Sequence, residues 1–477
     1  MMTKMNLHRQ KSKPHHLNIF EMGNISTAVT KKDLAEAIAD EFGVQYSPDG
    51  KRLLEADPYV LRKNKVVSYT VKPGTQVICD RAFNDCDSLE SILLPDSVTN
   101  IGDGAFGGCS LLESLVIPDG VTSIGADTFE NCESLNGIII PNGVTNIGKG
   151  AFGGCTSLEG FVIPNGVTNI GKGAFGWCTS LESIVIPDSV TSIGDNAFME
   201  CLSLESVTIP NSVTSIGTLA FGGCFALKSI VIPDSVTSIG ERVFADCSSL
   251  ESVTIPNSVT SIGDLAFWGC FALNSIVIPD GVTNIGRSAF MNCISLNSIV
   301  IPDSVTSIGL SVFEGCWALK NITIPDSVKG IGAEAFNRCK SLKNIIIPWG
   351  VARIRDGAFW CCESLEGIII PDSVVRIDGY AFRECSSLVH ISIPNSVVII
   401  DDNSFAECSS LESIEIPEKV SFIGENAFRG CKYLKSITIP DSVKYVGDGA
   451  FAGCDSLADA MKAEIVSRFG AGCMNGD

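Results

Sequence analysis

Residues 186–210 read IPDSVTSIGDNAFMECLSLESVTIP, and their spacing decides the fold. The two prolines of this stretch lie 23 residues apart, and the same step separates sixteen prolines from Pro95 to Pro440. Phenylalanine keeps this period seventeen times, from Phe83 to Phe451, and a cysteine stands three residues after each one. A fixed period of this length, kept without insertions, is typical of a solenoid of stacked coils.

The residues before each proline predict a strand with one buried face. In the coil around Pro187, we expect Leu181, Ile184 and Ile186 to point inward, since strand side chains alternate between two faces. Pro187 ends the strand because proline has no N–H for the next ladder bond. Residues 197–201 are expected to form a short helical or 3₁₀ turn on the outer side. Stacked coils then give a parallel sheet with about 4.8 Å between strands.

The repeat L-x-x-I-x-I-P-x-x-V-x-x-I-G-x-x-A-F-x-x-C resembles the BspA-type leucine-rich repeat proteins over residues 73–457. The resemblance implies an α/β repeat fold: a right-handed leucine-rich-repeat solenoid with a curved parallel β-sheet and short helical or 3₁₀ turns outside. It also implies a role in adhesion or protein recognition, often at the surface of bacteria or protozoan parasites. The family has no shared catalytic motif.

The chain divides into four predicted regions. These are a flexible basic tail at 1–24, an N-terminal cap region at 25–72, a solenoid of about 17 coils at 73–454, and a C-terminal capping helix and tail at 455–477. Terminal coils of a solenoid need a polar outer face, which explains why both ends are expected to carry a cap.

Both predicted caps contain recognisable elements. TKKDLAEAIADEFG predicts a helix over residues 30–43 with Thr30 as its N-cap, and VVSYTV predicts a strand over 66–71. At the other end, four apolar residues recur at a spacing of four and predict a helix that covers the last coil. They are Leu457, Met461, Ile465 and Phe469.

Charge and hydropathy narrow the classes of partner. The formal net charge is -20, and an acidic surface repels phosphate backbones, so we expect no nucleic-acid partner. No stretch reaches the roughly 18 apolar residues of a membrane span. No apolar run of signal-peptide length follows the N-terminal positive charges, which predicts a cytoplasmic location. The family resemblance implies the alternative, a cell-surface or secreted protein.

Cysteine usage predicts reduced thiols. Seventeen of the twenty cysteines hold one repeat position, so packing explains them better than disulfide pairing. Buried apolar surroundings suppress the thiolate and make such thiols inert. Cys473 lies near the C-terminus, outside the repeats, and is expected to be exposed and to react fastest.

No pattern of catalytic, cofactor-binding or metal-binding residues is recognisable in the sequence. G-x-S-x-G, P-loop, C-x-x-C and H-E-x-x-H arrangements do not occur. The aspartate after many of the prolines, such as Asp96 or Asp188, is more simply a turn residue. We therefore expect no catalytic residue, no cofactor and no metal.

Departures from the repeat indicate two candidate binding surfaces. The first is an apolar row at the position after the repeat cysteine, which is polar in most coils. The alternative is that these side chains fold down over the core and bind nothing. The apolar row consists of Leu202, Phe225, Phe271, Ile294 and Trp317, interrupted by Ser248.

The second candidate surface lies at residues 349–402. There, Arg355, Asp378 and Asp401 replace the corner glycine in three consecutive coils. Tryptophan and arginine are typical interface anchors, and the alternative is drift in repeats under weak constraint. The nearby candidates are Trp349, Arg353, Trp360, Arg376 and His390.

These observations favour a non-enzymatic, monomeric scaffold or adhesin-like leucine-rich repeat protein that recognises a protein partner along the concave sheet or its edge. A self-assembling structural solenoid is the alternative. A carbohydrate-active or thiol-redox enzyme is a remote second alternative.

Overall fold

The structure is a computed structural model that describes residues 25–475. The predicted basic tail at 1–24 lies outside the described residues. Within them, almost every coil contributes one three-residue strand, the long strand, and one two-residue strand, the short strand. Single bridges at His390 and Ile124 take the place of a long strand and a short strand in two coils.

The long strands recur at the repeat step, and their central residue is the inward one. The side chains of the long strands therefore alternate between inward and outward faces, as predicted from the sequence. The long strands are Ser68–Thr70, Ser91–Leu93, Ser114–Val116, Gly137–Ile139, Gly160–Val162, Ser183–Val185, Ser206–Thr208, Ser229–Val231, Ser252–Thr254, Ser275–Val277, Ser298–Val300, Asn321–Thr323, Asn344–Ile346, Gly367–Ile369, Ser413–Glu415 and Ser436–Thr438.

The short strands were not predicted, although the inward isoleucine that most of them contain was. They lie just before the corner glycine of each coil. They are Val77–Ile78, Asn100–Ile101, Asn146–Ile147, Asn169–Ile170, Ser192–Ile193, Ser215–Ile216, Ser238–Ile239, Ser261–Ile262, Asn284–Ile285, Ser307–Ile308, Gly330–Ile331, Arg353–Ile354, Arg376–Ile377, Ile399–Ile400, Phe422–Ile423 and Tyr445–Val446.

Equivalent residues of neighbouring coils pair in parallel. Ser183 pairs with Ser206 and Ile184 with Val207, a step of 23 residues. The long strands form six sheets of two to four strands, and the short strands lie in five further sheets. The predicted solenoid with a parallel sheet is thus confirmed, and the described chain has two parallel ladders per coil rather than one.

The outer side of each coil consists of hydrogen-bonded turns rather than a regular helix. The N–H groups of Phe198 and Glu200 donate to the carbonyls of Ala220 and Gly222 in the next coil, at 2.8 and 2.7 Å. Asn196 and Glu200 adopt left-handed backbone conformations, with φ of 55° and 58°. Two left-handed residues in five interrupt any right-handed helix, which explains the difference from the predicted helical turn.

The repeat phenylalanines form one stack through the whole array. All are fully buried, and successive rings from Phe83 to Phe451 lie 5.2–5.8 Å apart between centroids with planes within 1–16° of parallel. Offset stacking of this kind adds to the free energy gained by burying the rings.

The repeat cysteines are buried donors. The Sγ of Cys224 donates to the carbonyl oxygen of Phe198, in the preceding coil, at 3.2 Å. The N–H of Cys201, in the same coil as Phe198, donates to the same oxygen at 3.4 Å. The S–H contact recurs from Cys109 to Cys454, and every cysteine of the described residues is free. The thiol thus occupies the second acceptor position of a buried carbonyl, which a purely apolar residue would leave unpaired.

The corner glycines are required by close stacking. A Cβ at Gly171 would lie 2.5 Å from the carbonyl carbon and oxygen of Gly148, and one at Gly217 would lie 2.4 Å from the backbone nitrogen of Asp195. Neither Gly171 nor Gly217 has a positive φ. Successive corners therefore pack backbone against backbone, and it is the absence of a side chain that matters there.

The N-terminal region differs from its prediction. Thr30 caps a helix as expected, but the helix α1 covers only Lys31–Ala35, and the strand β1, Ile38–Ala39, follows it. The Asp40 carboxylate accepts the N–H groups of Phe42 and Val44, both at 2.9 Å, and this turn replaces the rest of the predicted helix.

Two antiparallel pairings join this region to the solenoid. β1 pairs with β2, Gln45–Tyr46, and β2 pairs with β3, Arg52–Glu55. β3 then pairs in parallel with the first short strand, and the helix α2, Pro58–Lys63, leads into the first long strand. The first long strand, Ser68–Thr70, thus lies within the region predicted as a cap.

The C-terminal region closes the array with the helix α3, Asp459–Phe469, and a 3₁₀ turn at Ala471–Met474. The predicted apolar stripe packs on the core, with Ile465 fully buried. The expectation of an exposed Cys473 is wrong, because this residue is 1% exposed and its carbonyl accepts the N–H of Phe451 at 2.8 Å. The tail takes the place that the outer turn of another coil would hold.

The phenylalanine stack predicts a local loss of stability on truncation. Phe244→Ala should lower the free energy of unfolding by about 3–5 kcal/mol, because it leaves a large cavity between two neighbouring rings. Faster amide exchange is expected in the coils of Phe221 and Phe267. The control is Phe225→Ala, which removes a partly exposed ring and should cost far less. Unchanged exchange in the neighbouring coils would contradict the nearest-neighbour account.

The buried thiols predict a loss of stability in alkali. Burial raises the pKa of Cys247 from its ordinary 9.0 to about 12. Between these values the native thiol keeps a proton that the unfolded thiol loses. Stability is therefore fully present below pH 9 and falls by about 1.4 kcal/mol per pH unit for each such thiol, until pH 12 is passed.

Urea unfolding between pH 7 and pH 11 measures this effect. The Cys247→Ala variant should show a shallower decline above pH 9, since it has one buried thiol fewer. A free energy of unfolding that stays constant from pH 8 to pH 11 would refute the account.

Candidate functional site

The strand face is the outward side of the long strands. Its first outward position is mostly serine, glycine or asparagine, and its second is mostly β-branched or aliphatic. Ten aliphatic side chains at the second position are 58–78% exposed and stack in register from coil to coil. They are Leu93, Val116, Ile139, Val162, Val185, Val231, Val277, Val300, Ile346 and Ile369.

Charged side chains border the strand face at the residue before most of the long strands. Lys228 pairs with Glu205 at 3.0 Å, Lys343 with Glu366 at 3.5 Å, and Lys435 with Glu412 at 3.1 Å. Each pair joins neighbouring coils, and all the side chains are largely exposed. Such exposed pairs add little stability, so these lysine and glutamate side chains can leave each other and pair with charged groups of a ligand.

The structure places the apolar row at the surface. Phe225 and Phe271 are each 44% exposed and Trp317 is 48% exposed, while Leu202 and Ile294 are half-buried. The three aromatic rings therefore keep a little under half of their surface in solvent, whereas the other two side chains of the row are more covered. The row stands four residues before the first outward strand residue, along the border of the strand face.

Backbone hydrogen bonds hold the apolar row in register. The N–H of Ala226 donates to the carbonyl of Leu202 at 3.1 Å, and that of Ala318 donates to Ile294 at the same distance. The Lys340 ammonium lies 5.9 Å from the ring centroid of Trp317. An alanine follows each of the three aromatic residues of the row, which leaves room for the rings at the surface.

The second candidate surface is divided between different sides of the coil. Arg353 and Arg376 lie in short strands, Trp360 lies in an outer turn, and His390 lies on the strand face. Trp349 follows a repeat proline and is largely exposed. The residues grouped by sequence number thus do not converge on one site.

Arg353 and Arg376 are engaged in ion pairs between coils. The Asp378 carboxylate, whose side chain is 2% exposed, lies 2.8 Å from Nη2 of Arg353 and 2.7 Å from Nε of Arg376. Arg376 also contacts Asp401. Two of the three replaced corner glycines therefore supply carboxylates to an alternating series of charges, whereas Arg355 at the third is exposed.

Trp360 belongs to a cluster that the sequence did not predict. Its ring lies 5.8 Å from that of Tyr380, and the Arg383 guanidinium lies 5.7 Å from both centroids. Glu384 accepts a hydrogen bond from Arg383 at 3.1 Å and one from the Cys361 thiol at 3.1 Å. Burial and this contact raise the pKa of Cys361 to about 12, which makes its thiol a poor nucleophile.

Residues 25–475 contain neither a metal-binding cluster nor a membrane-spanning helix. That part of the chain brings no three His, Cys, Asp or Glu side chains together in a group that would hold a metal ion. None of its helices has the length and apolar character needed to cross a bilayer.

The fold and its repeat define a leucine-rich repeat solenoid. The sequence profile of the BspA type leucine rich repeat region matches residues 57–182, 168–293, 260–389 and 352–476. These overlapping matches cover most of the chain, which therefore belongs to the BspA-type leucine-rich repeat family. The family assignment predicted from the repeat is thus confirmed.

Solved structures of bacterial proteins are similar to this chain. A leucine-rich repeat protein from Bacteroides ovatus is 30% identical, with a TM-score of 0.53, over 89% of this chain and 97% of that one. A leucine rich cell surface protein from Faecalibacterium prausnitzii is 31% identical, with a TM-score of 0.49, over 70% of this chain and 94% of that one. A search of curated proteins found no match.

The ion pairs around Asp378 predict a structural rather than a binding role. Asp378→Ala should lower the free energy of unfolding by about 1.5–3 kcal/mol, because two guanidinium groups lose a buried acceptor. The control is Glu205→Gln in the exposed Lys228 pair, where a change below about 0.5 kcal/mol is expected. Equal effects of the two substitutions on urea unfolding would contradict this role.

Proposed function

We propose that this protein is a non-enzymatic scaffold that binds a protein partner along the strand face and the adjoining apolar row. The observation that carries the proposal is the exposure of the apolar row beside a long, regular face. Large aromatic side chains that remain at the surface are typical anchors of protein interfaces. Three aromatic rings that are each almost half exposed in one row form a patch rather than scattered surface residues, and such patches typically mark binding sites.

The strand face supports a partner of extended shape. Serine and glycine at the first outward position keep that half of the face low, so a backbone can approach it closely. The aliphatic second position offers a narrow apolar stripe in register with the coils. A partner that lies along the solenoid would meet the same chemistry at every step of about 4.8 Å.

Charge supports a partner with basic groups. The chain carries a net charge of -20, and glutamates such as Glu182, Glu205 and Glu251 border the strand face. Complementary charge accelerates association and makes its rate sensitive to salt. We infer that the partner surface is basic and that binding weakens as ionic strength rises.

The covered ends support a monomeric scaffold. β1 to β3 occupy one end of the array, and α3 with the following turn occupies the other. Covered ends leave no coil free for end-to-end stacking of a second copy. Light scattering that shows a concentration-independent monomer would support this part of the proposal, and a dimer or filament would reject it.

The apolar row is tested by a double substitution. Phe271→Ser with Trp317→Ser should weaken binding of a partner by about tenfold or more, because interface aromatics commonly contribute 2 kcal/mol or more each. The thermal unfolding midpoint should change little, since both rings are about half exposed. Partners are first captured with the intact chain, identified by mass spectrometry and purified for titration.

A matched control removes apolar surface elsewhere. Val375→Ser with Tyr445→Ser changes two side chains of similar exposure on the short-strand side of the coil and should leave affinity unchanged. If the first pair collapses the thermal unfolding transition, the row belongs to the core. If both pairs weaken binding equally, the row has no special role.

A further inference from the structure

A shallow trough crosses the outer turns of two neighbouring coils, on a different side of the coil from the strand face. It has a volume of about 230 Å³. Its floor is formed by Gly150, Gly153 and Gly154 in one coil and by Gly173 in the next. Two adjacent coils that lack side chains at these outer positions leave a depression about two coil spacings wide, roughly 10 Å.

The floor is rigid and offers few hydrogen-bonding groups of its own. Three backbone N–H groups of the floor donate to backbone carbonyl oxygens of the next coil. The pairs are Gly150 to Lys172 at 2.8 Å, Gly154 to Gly176 at 2.8 Å, and Gly173 to Asp195 at 2.7 Å. These donors are already used between coils. Recognition in the trough must therefore come from the side chains that form its walls.

The walls combine one aromatic ring with groups of both charges. Trp177 stands on one wall with its side chain 53% exposed, and Asn196 stands beside it. The facing wall carries acidic and amide groups, and lysines complete the rim. These residues are Asp127, Glu130, Asn131, Lys149 and Lys172.

Trp177 is placed there at a cost to the fold. Its φ of 59° is left-handed, a conformation that costs an L-residue about 1–2 kcal/mol. In the adjacent coils, glycine and glutamate hold the same position, at Gly154 and Glu200. Non-glycine residues adopt this conformation in many other coils, so it is the half-exposed indole that distinguishes Trp177 and is available to a ligand.

The rim selects the kind of ligand by charge. Two carboxylates and two ammonium groups balance, so the trough favours neither an anion nor a cation. The Lys149 ammonium is 3.8 Å from the Asp127 carboxylate, a loose contact that leaves both groups free to meet hydroxyl groups. Alternating donors and acceptors around an apolar platform match a neutral, hydroxyl-rich ligand.

We propose that this trough binds a neutral pyranose sugar, with one face of the ring stacked on Trp177 and its hydroxyl groups bonded to the rim. The negative face of an indole attracts the axial C–H bonds of such a ring. The volume is below the roughly 300–1,000 Å³ of pockets for drug-sized ligands, which suits one sugar ring. This inference is independent of the protein-binding proposal, because the two surfaces share no residue.

A second trough in the preceding coils provides an internal comparison. Gly104, Gly107 and Gly108 contribute to its floor, but its lining includes no aromatic side chain. Gly104 and Gly173 occupy equivalent positions with the same φ of +62°. Asparagine tolerates this conformation, as Asn196 does in the coil after Gly173. A Cβ at Gly104 would lie 3.2 Å from Cγ of the flexible Arg81 side chain, which can move aside. The two troughs share Asp127, Glu130 and Asn131, so they differ mainly in the aromatic side chain.

Calorimetric titration of the full chain with maltose, cellobiose, lactose and diacetylchitobiose tests the proposal, with 3′-sialyllactose as an anionic comparator. At least one neutral disaccharide should bind with a millimolar or lower Kd. Trp177→Ala should weaken that binding about tenfold or more. Gly173→Asn should do the same, because a Cβ there meets nothing within 4 Å and the side chain fills the trough.

The control substitutions are Gly104→Asn and Trp268→Ala, which change the comparison trough and another outer tryptophan. Both should leave sugar binding within twofold of the unaltered chain. Absence of binding by all four neutral sugars, tighter binding of sialyllactose, or binding that survives both Trp177→Ala and Gly173→Asn would overturn the proposal.

Discussion

The structure depends on the carbonyl oxygen of the repeat phenylalanine. It accepts the N–H of the cysteine in its own coil and the S–H of the cysteine in the next one, so both of its acceptor positions are filled without water. The thiol is small and apolar enough for a dry core and long enough to reach the preceding coil. Together with the backbone hydrogen bonds and the stacked rings, this contact holds neighbouring coils in register.

Everything else in the coil follows that register. The rings stack because their backbones are already aligned, and the corners tolerate no side chain because they are pressed against the preceding corner. Where a charged residue replaces the corner glycine at Asp378, the arginines Arg353 and Arg376 pair with it and keep the two charges compatible with the stack. Exposed positions are less constrained by the stacking of the coils, so the coils differ from one another mainly there, and the candidate binding surfaces lie among these positions.

The fold could be predicted from the sequence because the repeat period and the pattern of apolar residues are both complete within a single coil. Inward leucines, the phenylalanine stack and buried cysteines all follow from residue type and spacing. The outer turns were not readable, since residues as different as Asn196, Trp177 and Glu200 share one left-handed conformation imposed by the neighbouring coils. The candidate surface at 349–402 was not predicted correctly for a related reason. Residues close in number lie on different sides of the coil, whereas the ion pairs join residues of neighbouring coils that are 25 positions apart.

The hydrogen bonds between coils lie along the direction in which the coils stack, on the strand side and the outer side alike. A pulling force applied between the two ends would therefore load all the interfaces between coils equally, and the weakest of them would separate first. Each coil that separates would release 23 residues, about 80 Å of extended chain, in place of a rise of about 4.8 Å. Mechanically, the molecule is a tether that lengthens in equal steps while the coils that remain stacked keep their surface intact.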